Sequence, residues 1–133
     1  MKTFATMTTI GVLVFAQAAS ASPAVDTLLD GYRAAGAGPF SAEAGQRMWR
    51  EKHNNGRNLA DRSCNVCHTD DLKDHGKHVK TRKLIKPMAP SINAERLTEV
   101  KKIEKWFKRN CKWTLGRECT AQEKGDFLVY IQN

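Results

Sequence analysis

Two thiols and an imidazole stand within five residues of this chain, Cys64-Asn65-Val66-Cys67-His68, and no other segment restricts its folding as strongly. At that spacing both cysteine sulfurs can form thioethers to the edge of one porphyrin, while the histidine that follows turns onto the iron as proximal ligand. A chain with a covalent macrocycle must fold around it. The motif is short, so its meaning rests on context. That context is an export pattern at the start, a modest length of 133 residues, and no strand-based redox pattern around the cysteines.

The export pattern begins with Lys2, continues through the mostly apolar stretch from Ile10 to Ala19, and closes on the small residues Ala19-Ser20-Ala21. It reads as a signal peptide over residues 1–21, leaving a mature domain over 22–133. The apolar run is well short of the roughly 20 residues that span a bilayer. The mature protein is therefore expected in the periplasm, as a monomer with no membrane anchor. A single domain of that size buries only a modest core, and a macrocycle would add apolar surface for helices to pack around. The formal charge of +8 drops by one when Lys2 leaves and further with two haem propionates, but stays positive. Outside the cytoplasm that charge points to an acidic protein partner and away from nucleic acid.

The haem motif uses two of the four cysteines. Cys111 and Cys119 remain, an even pair in an oxidising compartment, so a disulfide is expected between them. It would be worth about 2.5 kcal/mol in the chain-entropy model and would clamp the exit of one helix to the start of the next. A reading without haem, in which the four cysteines bind zinc or form two disulfides, fares worse. The interval from Cys111 to Cys119 is too wide for an ordinary zinc knuckle, and a thioredoxin-like role needs a strand-helix-strand unit that is not evident.

The rest of the chain reads as an all-α domain, with no run that alternates as a strand. Val25, Leu28, Leu29 and Tyr32 recur at helical spacing between Ala24 and Ala35, ahead of the breaker at Gly36 to Pro39. Ser41 caps a second helix that carries Gly45, Met48 and Trp49 on one face. Residues 53 to 63 form a polar loop, and Asp70 to Lys86 is charged with little to bury. Pro87-Met88-Ala89-Pro90 is a stiff extended turn, suited either to wall one haem face or to serve as a surface connector. Thr98 opens the third helix, whose apolar stripe is Val100, Ile103, Trp106 and Phe107. Thr120 and Glu123 form a capping box for the last, which carries Phe127, Leu128, Tyr130 and Ile131 and should cross the Ser41 helix at Gly45.

The sixth iron position decides between an electron carrier and a ligand-binding site. Met88 stands only twenty residues past His68, on the expected proximal wall. His75 and His78 lie in the charged segment close to His68, and His53 reads as a surface histidine. Lys105, Lys108 and Lys112 sit on a basic helix where lysines are normally solvated. Asn110, pinned by Cys111 immediately after it, reads from composition alone as a helix C-cap.

A family resemblance bears on this choice. The chain resembles the sphaeroides haem protein family, class I-like monohaem cytochromes c with an added N-terminal helix. The likeness is carried by Leu29-Asp30-Gly31-Tyr32, the haem motif itself, Ala89-Pro90-Ser91, Glu104-Lys105-Trp106, Arg109-Asn110-Cys111 and Gly116-Arg117-Glu118-Cys119-Thr120. It is also similar to the cytochromes c double prime, which carry histidine where Asn110 stands. Met88 departs from the aliphatic residue expected there. The resemblance implies one haem c on Cys64 and Cys67, His68 as proximal ligand, Asn110 as distal ligand, a Cys111–Cys119 disulfide, and Pro87, Met88 and Trp106 about the haem pocket.

It further implies a largely high-spin haem from which the asparagine departs on reduction, opening the site to oxygen, nitric oxide or carbon monoxide, with a dihaem cytochrome c as electron donor. A carboxamide oxygen is a hard, neutral, weak donor that suits ferric better than ferrous iron, in keeping with that behaviour. The competing reading is a haem enzyme that reduces oxygen, a peroxide or a nitrogen oxide at the same site. No distal His and Arg pair suited to peroxide cleavage is evident in the sequence.

Overall fold

The computed structural model describes residues 22–54 and 62–132, so the expected signal peptide and residues 55–61 lie outside the described residues. Helices α1 (Pro23–Ala34), α2 (Ala42–Arg50), α3 (Asn65–His68), α4 (Val100–Thr114) and α5 (Ala121–Gln132) make up most of the fold. A ladder of two short strands, β1 (Gly76–Lys77) and β2 (Leu84–Ile85), lies between α3 and α4. Class I-like helical architecture around a haem motif, with an added N-terminal helix, is thus the observed fold.

Helices α1, α2 and α5 each start where a side chain satisfies a free N–H group of the first turn. The Ser22 hydroxyl accepts from the Val25 N–H at 3.3 Å, with Pro23 at the first helical position, where a missing donor does no harm. The α1 stripe Val25, Leu28, Leu29 and Tyr32 is buried with Ile103 of α4 and Leu128 of α5. Ser41 accepts from the Ala44 N–H at 3.2 Å and starts α2. At the crossing of α2 and α5, a Cβ on Gly45 would fall 2.3 Å from the Asp126 carbonyl oxygen and 2.8 Å from the Tyr130 Cβ. Glycine there lets the two backbones touch, as the sequence predicts.

The capping box of α5 is also formed. The Thr120 hydroxyl accepts from the Glu123 N–H at 3.2 Å and the Glu123 carboxylate accepts from the Thr120 N–H at 2.8 Å. Arg117 adds two donors to that carboxylate, at 2.8 and 2.6 Å, and chiefly through this pairing Glu123 is held below the usual carboxylate range. A carboxylate with a depressed folded pKa stabilises the fold above its unfolded value, near about 4.3, and loses that contribution as pH falls through the folded value. Glu123→Gln is therefore expected to cost about 1 kcal/mol at neutral pH. The gap between parent and variant urea midpoints should close on acidification. A gap that persists unchanged at pH 3 would assign the loss to packing instead.

Four features differ from the expectations. The charged stretch after the haem motif does contain strands, although each is only two residues long, Gly76 pairing with Ile85 and Lys77 with Leu84. It also has something to bury, since Gly76 is buried and Leu72 joins the core that contains Trp49. The third long helix opens at Glu99, not Thr98, whose hydroxyl donates back to the Glu95 carbonyl at 3.1 Å. Nor does that helix end at Asn110. It runs on to Thr114 because Cys111 and Thr114 still face buried surroundings, and the chain breaks only at Gly116, with φ +76, a left-handed conformation that glycine adopts without strain.

Candidate functional site

Within α3 the Cys67 and His68 N–H groups both donate to the Cys64 carbonyl, at 3.2 and 3.1 Å. This single turn brings Cys64, Cys67 and His68 to one side at i, i+3 and i+4. Cys64 and Cys67 are free thiols, whereas Cys111 and Cys119 are joined to each other with Cα atoms 5.6 Å apart. That pairing bears out the expected disulfide and removes both the four-cysteine zinc site and the two-disulfide reading.

The turn is stopped and braced from three directions. Thr69, directly after His68, has φ +65, a costly region for a β-branched residue. Its conformation is held by its N–H donating to the Asn65 carbonyl at 2.9 Å, its carbonyl accepting the Trp49 indole N–H at 2.9 Å, and its hydroxyl donating to the Asp71 carbonyl at 2.7 Å. Trp49, 4% exposed, sets its ring 5.5 Å from the His68 ring and packs edge-on against Phe127 and Tyr130. From the third direction comes β1, where a Cβ on Gly76 would fall 2.1 Å from the Cys67 carbonyl oxygen and 3.0 Å from the His68 Cα.

Burial, reinforced by the positive charges of Arg96 and His78, brings the His68 pKa down to about 4. The imidazole is then neutral at physiological pH, the form that binds a metal. Its Nδ1 is buried with no hydrogen-bond partner. Burial also pushes the Cys64 thiol up to about 12. Among the described residues, Val66, Leu84, Ile92 and Trp106 leave large apolar side chains exposed. Two unbridged thiols one turn apart, a neutral imidazole after them and uncovered apolar surface fit a covalently held haem.

The Pro87–Pro90 turn is bonded on both sides and is no surface connector. The Met88 and Ala89 N–H groups donate to the Leu72 carbonyl at 2.9 and 2.8 Å. The Pro87 carbonyl accepts from Asn93 at 3.1 Å and from Arg96 at 2.9 Å, and Arg96 also donates to the Lys86 carbonyl at 2.7 Å. Pro87 is buried, and Met88 is half-buried in the cluster that includes Trp49, which puts the turn beside the residue that backs His68. Arg96, which pins this turn, carries no sequence signal beyond being one more basic residue in a polar stretch.

On α4, Ile103 is buried and Val100 and Phe107 are partly so, but Trp106 departs from the expected stripe. It is 43% exposed, with the Arg109 guanidinium 5.1 Å over its ring. Asn110 is exposed and lies inside the helix, which corrects its reading as a C-cap. Trp106, Asn110 and Trp113 follow one another at i, i+4 and i+7, so they share one helical face along the edge of the buried stripe. Trp113 went unnoticed in the sequence because a half-buried tryptophan past an expected helix end has no periodic neighbour.

The other candidates for the sixth position are placed elsewhere. His75 is exposed, and His78 accepts the Thr81 N–H at Nδ1, 3.1 Å away. His53 is half-buried rather than a surface histidine. It pairs with Arg62 in an antiparallel bridge, and its Nε2 is enclosed. Lys105 is exposed, and Lys108 and Lys112 reach Glu118 at 4.0 and 3.1 Å. Among the described residues no helix is long and apolar enough to cross a membrane.

Residues 35–131 match a family model described as a domain of unknown function, DUF1924. The chain is similar to the cytochrome c-type protein SHP of Cereibacter sphaeroides, 38% identical over 116 residues that make up 87% of each chain. It is also 38% identical to cytochrome c'' of Methylophilus methylotrophus over 69 residues, 52% of this chain and 48% of the relative. Among solved structures, oxidised SHP, described as an oxygen-binding cytochrome c, superposes with a TM-score of 0.75 at 34% identity, covering 85% of this chain and 98% of that one. Oxidised cytochrome c'' from Methylophilus methylotrophus gives 0.70 at 30% identity, covering 81% and 92%.

Proposed function

The chain belongs to the family of SHP and cytochrome c'', monohaem c-type cytochromes with one covalent haem, and from that premise we propose that it is a periplasmic electron carrier whose Asn110 gives way to a small diatomic molecule on reduction. A haem held there would supply one-electron chemistry. Cys64 and Cys67 would hold it by thioethers, and His68 would offer a neutral imidazole from the side braced by Trp49 and Gly76. Asn110 offers a carboxamide oxygen from α4, with Trp106 and Trp113 along the same face as apolar cover that keeps the site dry and small.

Asn110 acts as a gate because its oxygen is a weak donor. It would suit ferric iron better than the softer ferrous ion, and its neighbour Cys111, fixed to Cys119, would hold the helix in place. The reading is carried by the position of Asn110: exposed, and inside α4, which runs on to Thr114, so that it does not cap the helix. Lys77, Lys80, Arg82, Lys83 and Lys86 form an exposed basic group after the haem motif. It is suited to steer an acidic redox partner, of which a dihaem cytochrome c is the proposed instance, into brief contact.

The test compares ferric and ferrous absorption spectra of the parent and Asn110→Ala. The substitution should change the ferric spectrum and leave the carbon monoxide complex of the reduced form nearly unaltered. A ferric spectrum identical to the parent's would remove Asn110 from the site.

A further inference from the structure

The haem motif and the helix that carries Asn110 are tied together by one buried arginine. Arg62 stands two residues before Cys64. Its main chain is fixed by the bridge to His53, with N–H to carbonyl distances of 2.7 and 3.0 Å, and the next residue, Ser63, is 2% exposed. The Arg62 side chain turns away from this segment onto α4. Its Nη1 donates to the Trp113 carbonyl at 3.0 Å, and its guanidinium lies 4.0 Å over the Trp113 ring. Arg62 as a whole is 7% exposed.

That carbonyl is one of the last four of α4, which have no partner within the helix, and a cation there is also favoured by the helix dipole. Stacking on the indole face adds a second attachment that a lysine reproduces poorly. Cys111 and Trp113, two residues apart, project about 200° apart around the helix axis. The final turn of α4 is thus held on one side by the disulfide and on the other by Arg62, and Asn110 lies on the arc between the two holds.

We propose that Arg62 is a positioning residue for Asn110: by fixing the end of α4 against the segment that bears Cys64 and His68, it sets how firmly Asn110 occupies the distal position in the oxidised protein. The proposal rests on Asn110 being the distal ligand. Without Arg62 the last turn of α4 is free to move outward, and an external ligand competes with Asn110 more easily. The reduced protein, from which Asn110 has withdrawn, is indifferent to the change.

The experiment titrates the ferric holoprotein with imidazole, followed by absorption, in the parent, Arg62→Met, Asn110→Ala and the double variant. Methionine keeps the apolar stem and removes the guanidinium. Arg62→Met should tighten imidazole binding about tenfold in the parent background, the scale on which a directly coupled pair interacts, and less than twofold in the Asn110→Ala background. Carbon monoxide affinity of the reduced forms should stay within twofold. Amide exchange at residues 110–114 should be faster in Arg62→Met, and Arg62→Lys should recover part of the parent's resistance to imidazole.

If Asn110→Ala tightens imidazole binding and Arg62→Met does not, the positioning role is overturned while Asn110 stays the ligand. Equal tightening by Arg62→Met in both backgrounds also overturns it, since Arg62 would then act on access and not through Asn110. No response to Asn110→Ala sinks the ligand assignment and this inference with it. Should Arg62→Met fail to give holoprotein, Trp113→Leu, which removes the stacking surface and spares the carbonyl, is read by the same criteria.

Discussion

Gly76→Ala is expected to be among the most damaging single methyl additions to this protein. The new Cβ would sit 2.1 Å from the Cys67 carbonyl oxygen and 3.0 Å from the His68 Cα, both backbone atoms of the turn that presents the thiols and the imidazole. Neither can swing aside as a side chain would, so β1 or α3 must shift as a whole. Overpacking of this kind costs about 3 kcal/mol or more, which for a domain of this size lowers Tm by about 10 °C or more. The yield of haem-bearing protein should fall with it, because His68 and Cys67 are displaced together. Gly31→Ala is the matched control, with nothing within 4 Å of its new methyl and alanine the better helix former. If the two variants melt within about 2 °C of each other, the tight approach of β1 to α3 is wrong.

Trp49→Ala should be comparably severe. It empties a site that is 4% exposed and lined by Phe127, Tyr130 and His68, and truncation of a buried tryptophan costs about 3–5 kcal/mol. It also removes the indole donor that holds the Thr69 carbonyl, leaving the left-handed Thr69 with one support fewer. Trp49→Phe separates the two effects, since it retains most of the packing and loses the hydrogen bond, at an expected cost of about 1–2 kcal/mol. Urea unfolding of the three proteins gives both numbers. Parent-like stability of Trp49→Phe would mean that Thr69 keeps its conformation without the indole.

What could be read from the sequence follows from what each residue does locally. The Cys64 to His68 turn, the Ser41 cap, the Thr120–Glu123 box and the close crossing at Gly45 are all short-range or single-residue requirements, and each is met in the fold. The end of α4 is not legible locally: Asn110 and the cysteine after it look like a terminus, whereas the burial of Cys111 and Thr114, a tertiary fact, prolongs the helix towards the glycine beyond. Arg62 and Arg96 are illegible in the sequence for a related reason. Their partners are main-chain carbonyls of Trp113, Lys86 and Pro87, and a carbonyl leaves no trace in the amino-acid alphabet. Gly76 carries no local signal, since a glycine in a charged stretch looks like a turn, and only the neighbouring backbone of α3 gives it its purpose.

The packing of α1 against α4 and α5 has a consequence for the order of events in biosynthesis. The first helix of the described fold finds its partners only in α4 and α5, so its native packing waits until the chain through residue 132 has been made. On the proposed export route, a chain crossing in an extended state would therefore arrive with Cys64 and Cys67 accessible to whatever machinery modifies them. Locking comes afterwards, when α1 meets α4 and α5.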